Sequence, residues 1–333
     1  MSASFAFRTT YAPSIGMGHL RRCLTLAQEL TSQGSSCTFL LTGHPQGASS
    51  TRAHGFAAQT IDGALEATLG ALRERPSATV VVDDYEFTEP DFSRLRSHHA
   101  LAVIDDLADR RLDADLVLNA SADATSRHYR VPSGCRMLLG PGYALLRPSF
   151  RALPARKATA SVRRVLVTLG GSDPAHRTVD VTRKLLSGLR NARLDVVLGP
   201  LYGDPSDLLT VIRSSGRGSE VHLHTAPDDL APLMVEADLA VSAGGQTTYE
   251  LAAAGVPAVA LCLADNQRGN IAAMSLVPTL LPATSEELMP AVMRLVGDLA
   301  LRQKMCDAAQ SLFDGQGAVR AAQALIELSE ARG

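Results

Sequence analysis

The sequence predicts an α/β protein with two doubly wound parallel sheets, each in a domain of its own. The chain has 333 residues, whereas a single hydrophobic core rarely extends past ~250–300 residues. Short β-rich apolar runs alternate with helical patterns, which is typical of parallel sheets covered by helices on both faces. The alternation breaks once, in the polar and basic run 151–161, which is typical of a linker. We therefore expect an N-terminal domain over 1–155 and a C-terminal domain over 156–333.

The predicted strands are short runs rich in apolar and β-branched residues. They are Phe5–Thr9, Ser36–Leu41, Thr79–Val82, Leu101–Ile104, Val162–Leu169, Arg193–Leu198, Glu220–His224, Leu239–Ser242 and Val256–Leu261. The predicted helices are Leu20–Gln33, Gly63–Arg75, Asp180–Leu189, Pro227–Glu236, Thr284–Gly297, Leu299–Phe313 and Ala318–Ala331. Aromatic residues make up only 4% of the chain. The core must therefore consist of Leu, Val and Ala, which suits parallel sheets under Ala-rich helices.

Composition limits the possible functions. A net charge of -2 gives no electrostatic footprint for nucleic acid. The five cysteines are odd in number and lack C-x-x-C spacing, which argues against a disulfide framework or a zinc site. The longest apolar run, Val256–Ala264, is too short to span a bilayer. We expect a cytoplasmic monomer without membrane insertion, metal or cofactor.

The first of three glycine-rich turns covers residues 14–22 and reads S-I-G-M-G-H-L-R-R. It contains G-x-G but lacks the third glycine of a dinucleotide fingerprint, so an NAD site is not expected. Gly18 and His19 stand where a helix begins after the first strand, and open α/β sheets bind ligands at that end. His19 could simply cap the helix. Because glycines precede it and an arginine pair follows, we favour a catalytic role.

The second turn follows the first strand of the C-terminal domain, where Gly170 and Gly171 precede Ser172. These glycines could let a sugar or phosphate approach the backbone. An ordinary strand-to-helix turn with Ser172 or Asp173 as N-cap explains them equally well.

The third turn lies between the strand Leu239–Ser242 and a helix over 249–254. Its backbone N–H groups and threonine hydroxyls, together with the helix dipole, suit a diphosphate. The candidate residues are Gly244, Gly245, Gln246, Thr247 and Thr248. One turn into the helix, the carboxylate of Glu250 could accept hydrogen bonds from both hydroxyls of a ribose, or it could serve the helix dipole.

Taken together, these motifs resemble a known family. They are G-x-G-H-x-x-R, D-D-Y, I-D-D-L-A-D-R, L-L-G-P-G-Y-A-L-L-R-P, V-T-L-G-G-S-D-P, S-A-G-G-Q-T-T-Y-E-L-A-A-A-G-V-P and A-D-N-Q. In this order they resemble the UDP-2,4-diacetamido-2,4,6-trideoxy-β-L-altropyranose hydrolases of pseudaminic acid biosynthesis. Relatives of that family include spore-coat polysaccharide proteins and MurG-type glycosyltransferases. The resemblance covers residues 14 to about 273.

The resemblance implies a GT-B fold, in which two Rossmann-like domains face a cleft. It implies a UDP-linked nucleotide-diphosphate sugar as substrate, with metal-independent, inverting hydrolysis of the sugar C1–O bond. His19 and Tyr85 would be catalytic, with His19 holding or deprotonating the attacking water. The diphosphate would bind the third turn and the ribose would bind Glu250. The sugar-binding candidates are Gly18, Arg21, Asp84, Gly171, Asn266 and Gln267.

Two segments depart from the family pattern. Where the hydrolases read D-H-Y-G, this chain has Asp83-Asp84-Tyr85-Glu86, and an added carboxylate would change which sugar is accepted. The segment after Gln267 is also shortened, which would remodel the acceptor side. A glycosyltransferase with a non-water acceptor therefore stays open beside the hydrolase. A non-catalytic nucleotide-sugar sensor is the least favoured alternative, because His19 and the third turn are both intact.

Several further side chains have two interpretations. Asp105 and Asp106 could bind a metal, but adjacent strand residues point to opposite faces, so a structural loop capped by Arg110 is favoured. His98 and His99 are expected at the solvated surface. We expect His222 and His224 to meet a nucleotide base or to serve the strand end. Arg22 would reach phosphate or lie along the first helix.

Overall fold

The computed structural model describes residues 3–12, 17–151 and 153–332, apart from the side chain of residue 126. It divides into two compact units, each with its own parallel sheet. Unit 1 comprises Met1–Arg147 and Gly315–Gly333, and unit 2 comprises Pro148–Asp314. The two separate sheets agree with the predicted architecture, in which no sheet runs through both halves.

Unit 1 holds a seven-stranded sheet in the order β3-β2-β1-β4-β5-β6-β7. Its strands are β1 (Ser4–Tyr11), β2 (Ser36–Gly43), β3 (Ala57–Thr60), β4 (Thr79–Asp83), β5 (Leu101–Ile104), β6 (Leu116–Asn119) and β7 (Arg136–Leu139). The helices between them are α1 (Gly18–Ser32), α2 (Gln46–Ala53), α3 (Leu65–Leu72) and α4 (Glu89–Arg96). β1 pairs in parallel with both β2 and β4. The strand order reverses between β1 and β4, and their carboxyl ends are where this class of sheet binds ligands.

Unit 2 holds a six-stranded sheet in the order β10-β9-β8-β11-β12-β13. Its strands are β8 (Arg164–Thr168), β9 (Arg193–Leu198), β10 (Val221–Thr225), β11 (Leu239–Ala243), β12 (Ala258–Leu261) and β13 (Leu280–Ala283). Its helices are α5 (Arg177–Gly188), α6 (Ser206–Ser214), α7 (Ala231–Glu236), α8 (Thr247–Ala253), α9 (Arg268–Leu276), α10 (Leu288–Gly297) and α11 (Leu299–Leu312). The strand order reverses between β8 and β11, and the second and third glycine-rich turns follow these two strands.

The last helix, α12 (Gly317–Arg332), returns to unit 1 and packs on α1. It buries a row of small side chains there, including Ala318, Ala321 and Ala322. At its first residue, Gly317, a Cβ atom would lie 2.2 Å from the backbone oxygen of Ala144, so only glycine fits this approach. The predicted domain 156–333 differs from unit 2 in this segment, because apolar packing joins α12 to the first unit.

Each of the nine predicted strands has a counterpart in the structure, whereas β3, β6, β7 and β13 were not predicted. β3 and β13 are edge strands of their sheets. β3 is mostly exposed, and β13 contains Pro282, a residue that sheets tolerate mainly in edge strands. Among the helices in the described residues, none is long and apolar enough to cross a bilayer.

Candidate functional site

In unit 1, the carboxyl ends of β1 and β4 bring a histidine and an aspartate together. β4 reads T-V-V-V-D and is buried along its length, so its last residue, Asp83, lies fully inside the protein. His19 is the second residue of α1, and only 6% of its surface is exposed. Its Nδ1 lies 2.6 Å from Oδ1 of Asp83. Of the first glycine-rich turn, Ser14, Ile15 and Gly16 lie outside the described residues.

The charge of Asp83 fixes the tautomer of His19. Burial would raise the pKa of Asp83, but Arg22 and His19 outweigh burial and hold that pKa well below its usual range. An ionised carboxylate only accepts hydrogen bonds, so the proton of a neutral His19 ring lies on Nδ1. Nε2 then carries the lone pair and can accept a proton from a reacting group. Histidine–carboxylate pairs of this kind occur at general-base sites.

Arg22, one turn further along α1, binds two carboxylates at once. Its Nε and Nη2 donate to Oδ2 and Oδ1 of Asp83, both at 2.6 Å, and its Nη1 donates to Oδ1 of Asp106 at 2.9 Å. Burial would lower the pKa of Arg22, but Asp106 and Asp83 together raise it well above its usual value. Arg22 thus lies on α1, as one of its two predicted roles has it, and its guanidinium binds carboxylates of unit 1. Contact with phosphate stays a prediction.

Tyr85 contacts both Asp106 and His19. Its hydroxyl donates to Oδ2 of Asp106 at 2.7 Å, and its ring meets the imidazole of His19 edge-on at a centroid distance of 4.6 Å. Burial and then Asp106 raise the pKa of Tyr85 above its usual value, so the hydroxyl keeps its proton. The structure therefore brings together the two predicted catalytic residues, and it adds three that were not predicted there: Asp83, Arg22 and Asp106.

Asp84 contacts the interior of unit 1. Its Oδ2 accepts from Nη1 of the buried Arg8 and from the hydroxyl of Thr10, both at 2.7 Å, and its Oδ1 accepts from the backbone N–H of Glu86. Both oxygens of the carboxylate that departs from the family pattern are thus engaged within the fold. Sugar contact by Asp84 stays a prediction, as it does for Gly18 and Arg21 at the start of α1.

In unit 2, the third glycine-rich turn runs from β11 into α8. Side chains of α9 and of the 3₁₀ helix just before it hold this turn by hydrogen bonds. The backbone N–H of Gly244 donates to the side-chain oxygen of Gln267 at 3.1 Å. Nδ2 of Asn270 donates to the backbone oxygen of Gly244 at 2.8 Å and to Oγ1 of Thr248 at 2.9 Å. A Cβ atom on Gly244 would lie 2.3 Å from the side chain of Ile271. Gly244 therefore permits close packing of α9.

The next residue of this turn differs from Gly244. A Cβ atom on Gly245 would meet nothing within 4 Å among the described residues, so space is open at this position. Gln246 and Thr247 are half-buried, whereas Glu250 is only 6% exposed. Asn266 is exposed in the one-turn 3₁₀ helix Asp265–Gln267. The contacts that Gln267 and Asn270 make with the turn were not predicted, because these residues lie more than twenty positions further along the chain, in the 3₁₀ helix and in α9.

In the second turn, after β8, Asp173 caps α5 from three residues before the N-cap position, which His176 occupies. The carboxylate of Asp173 accepts from the backbone N–H groups of Arg177 and Thr178, at 2.9 and 2.6 Å, at the start of α5. Gly170 has a φ of +102°. A Cβ atom on Gly199 would lie 2.3 Å from the backbone oxygen of Gly170 and 2.5 Å from that of Gly171. Asp173 thus satisfies the first N–H groups of α5, but neither it nor Ser172 is the N-cap residue, which is His176. Sugar contact by Gly171 stays a prediction.

Asp105 and Asp106 point to different partners, as their adjacency predicts. Asp105 accepts from the backbone N–H groups of Leu107 and Ala108 and from the hydroxyl of Tyr129, whereas Asp106 faces Arg22. Arg110 donates to the backbone oxygen of Asp84. Across the described residues, no three His, Cys, Asp or Glu side chains cluster as a metal site would require.

Two of the histidine predictions have definite outcomes. His99 is buried beside the backbone oxygen of Ala78, and burial lowers its pKa. The prediction of a solvated pair is therefore wrong for His99, although His98 is exposed. His224 pairs with Asp195 at 2.9 Å, which supports the strand-end interpretation for that residue.

The chain has distant relatives among known proteins. No protein-family model matches it. It is 28% identical to the spore coat polysaccharide biosynthesis protein SpsG of Bacillus subtilis, over 65% of this chain and 66% of SpsG. It is 24% identical to an uncharacterized protein of Methanocaldococcus jannaschii, over 79% of this chain and 56% of that protein.

A third relative carries two activities in its name. It is the pseudaminic acid cytidylyltransferase and UDP-2,4-diacetamido-2,4,6-trideoxy-β-L-altropyranose hydrolase of Helicobacter pylori, 24% identical over 76% of this chain and 43% of the relative. The matched region thus spans between 43% and 66% of these three proteins. The resemblance expected from the motifs is confirmed as distant similarity.

Solved structures show the fold. The calicheamicin glycosyltransferase CalG4 matches with a TM-score of 0.70, 15% identity and 98% coverage of both chains. MurG of Acinetobacter baumannii matches with a TM-score of 0.65, 15% identity and coverage of 97% of this chain and 99% of MurG. The UDP-GlcNAc 2-epimerase of Neisseria meningitidis, solved with UDP-GlcNAc bound, matches with a TM-score of 0.61, 13% identity and coverage of 97% and 100%. The predicted GT-B fold is confirmed.

Proposed function

We propose that this protein is an enzyme that hydrolyses the C1–O bond of a nucleotide-diphosphate sugar, with inversion at C1. The observation that carries the proposal is the His19–Asp83 pair at the point where the strand order of the first sheet reverses. The names of two relatives, one for polysaccharide biosynthesis and one for a UDP-sugar hydrolase, support a carbohydrate substrate. We take a UDP-linked amino or deoxy sugar as the substrate class.

In the proposed reaction, Nε2 of His19 takes a proton from water while the water oxygen forms a bond to C1 of the sugar. The C1–O bond breaks on the opposite face, and its electron pair leaves on the β-phosphate oxygen. The products are a free sugar of inverted configuration and a nucleoside diphosphate. Asp83 stabilises the imidazolium that forms, as the carboxylate does in other histidine–carboxylate sites.

Unit 2 supplies the nucleotide-binding groups in this proposal. The diphosphate would bind at Gly245, where space is open, and at Gln246, Thr247 and Thr248, with Glu250 accepting from the ribose. Backbone N–H groups that point at a leaving diphosphate stabilise its developing charge. Asn266 and Gln267 would contact the sugar or the β-phosphate. No residue is assigned to a metal, and we expect turnover in the presence of EDTA.

A glycosyltransferase is the second candidate, because CalG4 is a glycosyltransferase that shares the fold. The same histidine would then deprotonate a hydroxyl or amine of an acceptor in place of water. The acceptor alone separates the two candidates.

A cytoplasmic location and a monomeric state stay predictions.

The deciding experiment incubates the protein with a panel of nucleotide sugars in EDTA, without an acceptor. Free nucleotide is measured by chromatography, and the anomer of the released sugar is measured by NMR at early times. Hydrolysis predicts stoichiometric free sugar of inverted configuration. Nucleotide release that appears only after an acceptor is added identifies a transferase, and no release under either condition refutes both candidates.

Two variants separate catalysis from binding in the same assay. We expect His19→Asn to lower turnover ~10²–10⁴-fold, the usual effect of removing a positioned base, with nucleotide affinity nearly unchanged. We expect Glu250→Ala to weaken binding of the nucleoside diphosphate by ~1.5–3 kcal/mol, the range for hydrogen bonds to a charged group. His98→Asn, at an exposed histidine of unit 1, is the matched control.

A further inference from the structure

The side chains of Asp83, Asp106, Arg22 and His19 form one group, and it contains more charge than a histidine–carboxylate pair requires. Two carboxylates, Asp83 and Asp106, flank one guanidinium, that of Arg22, and Asp83 is fully buried. With a neutral His19, the group holds one net negative charge. When His19 takes a proton, the group becomes neutral. Without Arg22, two carboxylates would lie in this part of unit 1 with no cation in the group, and burying unpaired charge is costly.

The geometry of Arg22 is as specific as its charge. Nε and Nη2 each bind one oxygen of Asp83 at 2.6 Å, which fixes the plane of the carboxylate. Oδ1 is shared with Nδ1 of His19, also at 2.6 Å, so the orientation of the carboxylate sets the orientation of the ring. The third nitrogen, Nη1, binds Asp106, which holds the Tyr85 hydroxyl. A lysine could supply the charge but not this planar fork.

Two contacts at Nδ1 of His19 favour opposite tautomers, and the shorter one prevails. Nη2 of Arg22 lies 3.3 Å from Nδ1, and because a guanidinium nitrogen can only donate, this contact would be a hydrogen bond only if Nδ1 accepted. The 2.6 Å contact with the ionised Asp83 is a hydrogen bond only if Nδ1 donates. The alternative tautomer would place the lone pair of Nδ1 against this carboxylate. Asp83, held in place by Arg22, therefore favours the Nδ1–H tautomer of His19.

We propose that Arg22 is a positioning residue for the reaction: by gripping Asp83 and Asp106 together, it holds His19 in the Nδ1–H tautomer and Tyr85 edge-on against its ring. This assignment rests on the proposed function for its kinetic consequences only. The tautomer can be measured without any substrate, so the two proposals fail independently.

The test measures the ¹⁵N shifts of histidine-labelled protein by NMR, with the His19 signals assigned from the spectrum of His19→Asn. We expect wild type to show His19 as the Nδ1–H tautomer and Arg22→Lys to show a mixture of both tautomers. On a substrate found in the nucleotide-sugar panel, we expect Arg22→Lys to lower kcat ~10²-fold, as misplacement of a catalytic group typically does. KM should change by less than about twofold, because a positioning role leaves substrate binding intact.

Arg302→Lys is the matched control, because Arg302 is a buried arginine of unit 2 that donates to the backbone oxygens of Val296 and Thr159. It should lower the unfolding temperature without altering the His19 tautomer or kcat. If Arg22→Lys keeps a pure Nδ1–H tautomer and wild-type kcat per folded molecule, Arg22 is structural and the proposal is overturned. Should Arg22→Lys fail to fold, the wild-type spectrum decides: an Nε2–H tautomer overturns the proposal and an Nδ1–H tautomer supports it.

Discussion

At the scale of single residues, the charge on Asp83 makes the stability of the protein sensitive to acid. The pKa of Asp83 in the folded protein lies below its usual value, despite burial, because of Arg22 and His19. Below the ordinary aspartate pKa of ~4, the unfolded chain therefore binds a proton that the native state does not. The stability that Asp83 contributes is present above that pH and is lost as the pH falls towards the folded pKa.

We predict that Asp83→Asn lowers the free energy of unfolding by about 3–5 kcal/mol at pH 7, the cost of removing one partner from a buried ion pair. The difference in free energy of unfolding between wild type and the variant should narrow by about 1.4 kcal/mol per pH unit below pH ~4. Urea unfolding of both proteins between pH 7 and pH 3 measures this gap. Asp265→Asn, at a carboxylate whose side chain is 93% exposed, controls for the loss of one charge. A gap that is the same at pH 7 and pH 3 would contradict the assignment.

The sequence could single out His19 as a candidate, but it could not predict which residues contact it. His19 stands out because it follows a glycine at the expected start of a helix, which is a local signal. Asp83 lies 64 positions away and Asp106 lies 84 positions from Arg22, so their proximity depends on the order of the strands. The partner of Asp84 could not be predicted for the same reason, since Arg8 lies on another strand.

At the scale of elements, the end of β9 packs against the turn after β8 without room for a side chain. A Cβ atom on Gly199 would lie within 2.6 Å of the backbone of Gly170 and Gly171. We predict that Gly199→Ala lowers the free energy of unfolding by about 1–3 kcal/mol, the usual cost of overpacking, because a backbone turn must shift. Urea unfolding followed by circular dichroism measures the loss.

Gly203→Ala is the matched control for that substitution. It lies four residues further along the chain, and a Cβ atom there would meet nothing within 4 Å among the described residues. Equal stability of the two variants would show that the turn after β8 adjusts without cost.

The elements that could be predicted are those with a strong apolar pattern. β1, β4 and β11 are buried over nearly their whole length, and their apolar runs are visible in the sequence. β3 was missed because only its position at the edge of the sheet makes it a strand. α9 begins at Arg268 directly after a one-turn 3₁₀ helix. The hydrogen bonds by which it holds the third turn correspond to no periodic pattern in the sequence.

At the scale of the whole molecule, unit 2 is continuous in the chain whereas unit 1 is built from two segments. We predict that a fragment of residues 148–314 folds alone, because it contains a complete sheet and its own core. A fragment of residues 1–147 lacks α12 and should be less stable and more protease-sensitive, since α1 loses the helix packed on it. Thermal unfolding and limited proteolysis of the two fragments test this.

Adding the missing helix is the control for that comparison. A chain that joins residues 1–147 to 315–332 through a short Gly/Ser linker should recover protection from protease. Equal stability with and without the helix would show that α12 contributes nothing to unit 1. The sequence predicted α12 as a helix but placed it in the second domain, because α12 follows that domain along the chain. In the structure it packs on α1 of unit 1.

The return of α12 to unit 1 also has a consequence for synthesis on the ribosome. Domains usually fold in the order in which they are made, at ~5–20 residues per second. Here the first unit to be translated cannot bury α1 under its partner helix until residues 317–332 emerge. The delay is on the order of 10–30 s at that rate. Unit 2, although begun later, completes its sequence first, so we expect the earlier half of the nascent chain, which carries His19, to stay incompletely packed until α12 is made.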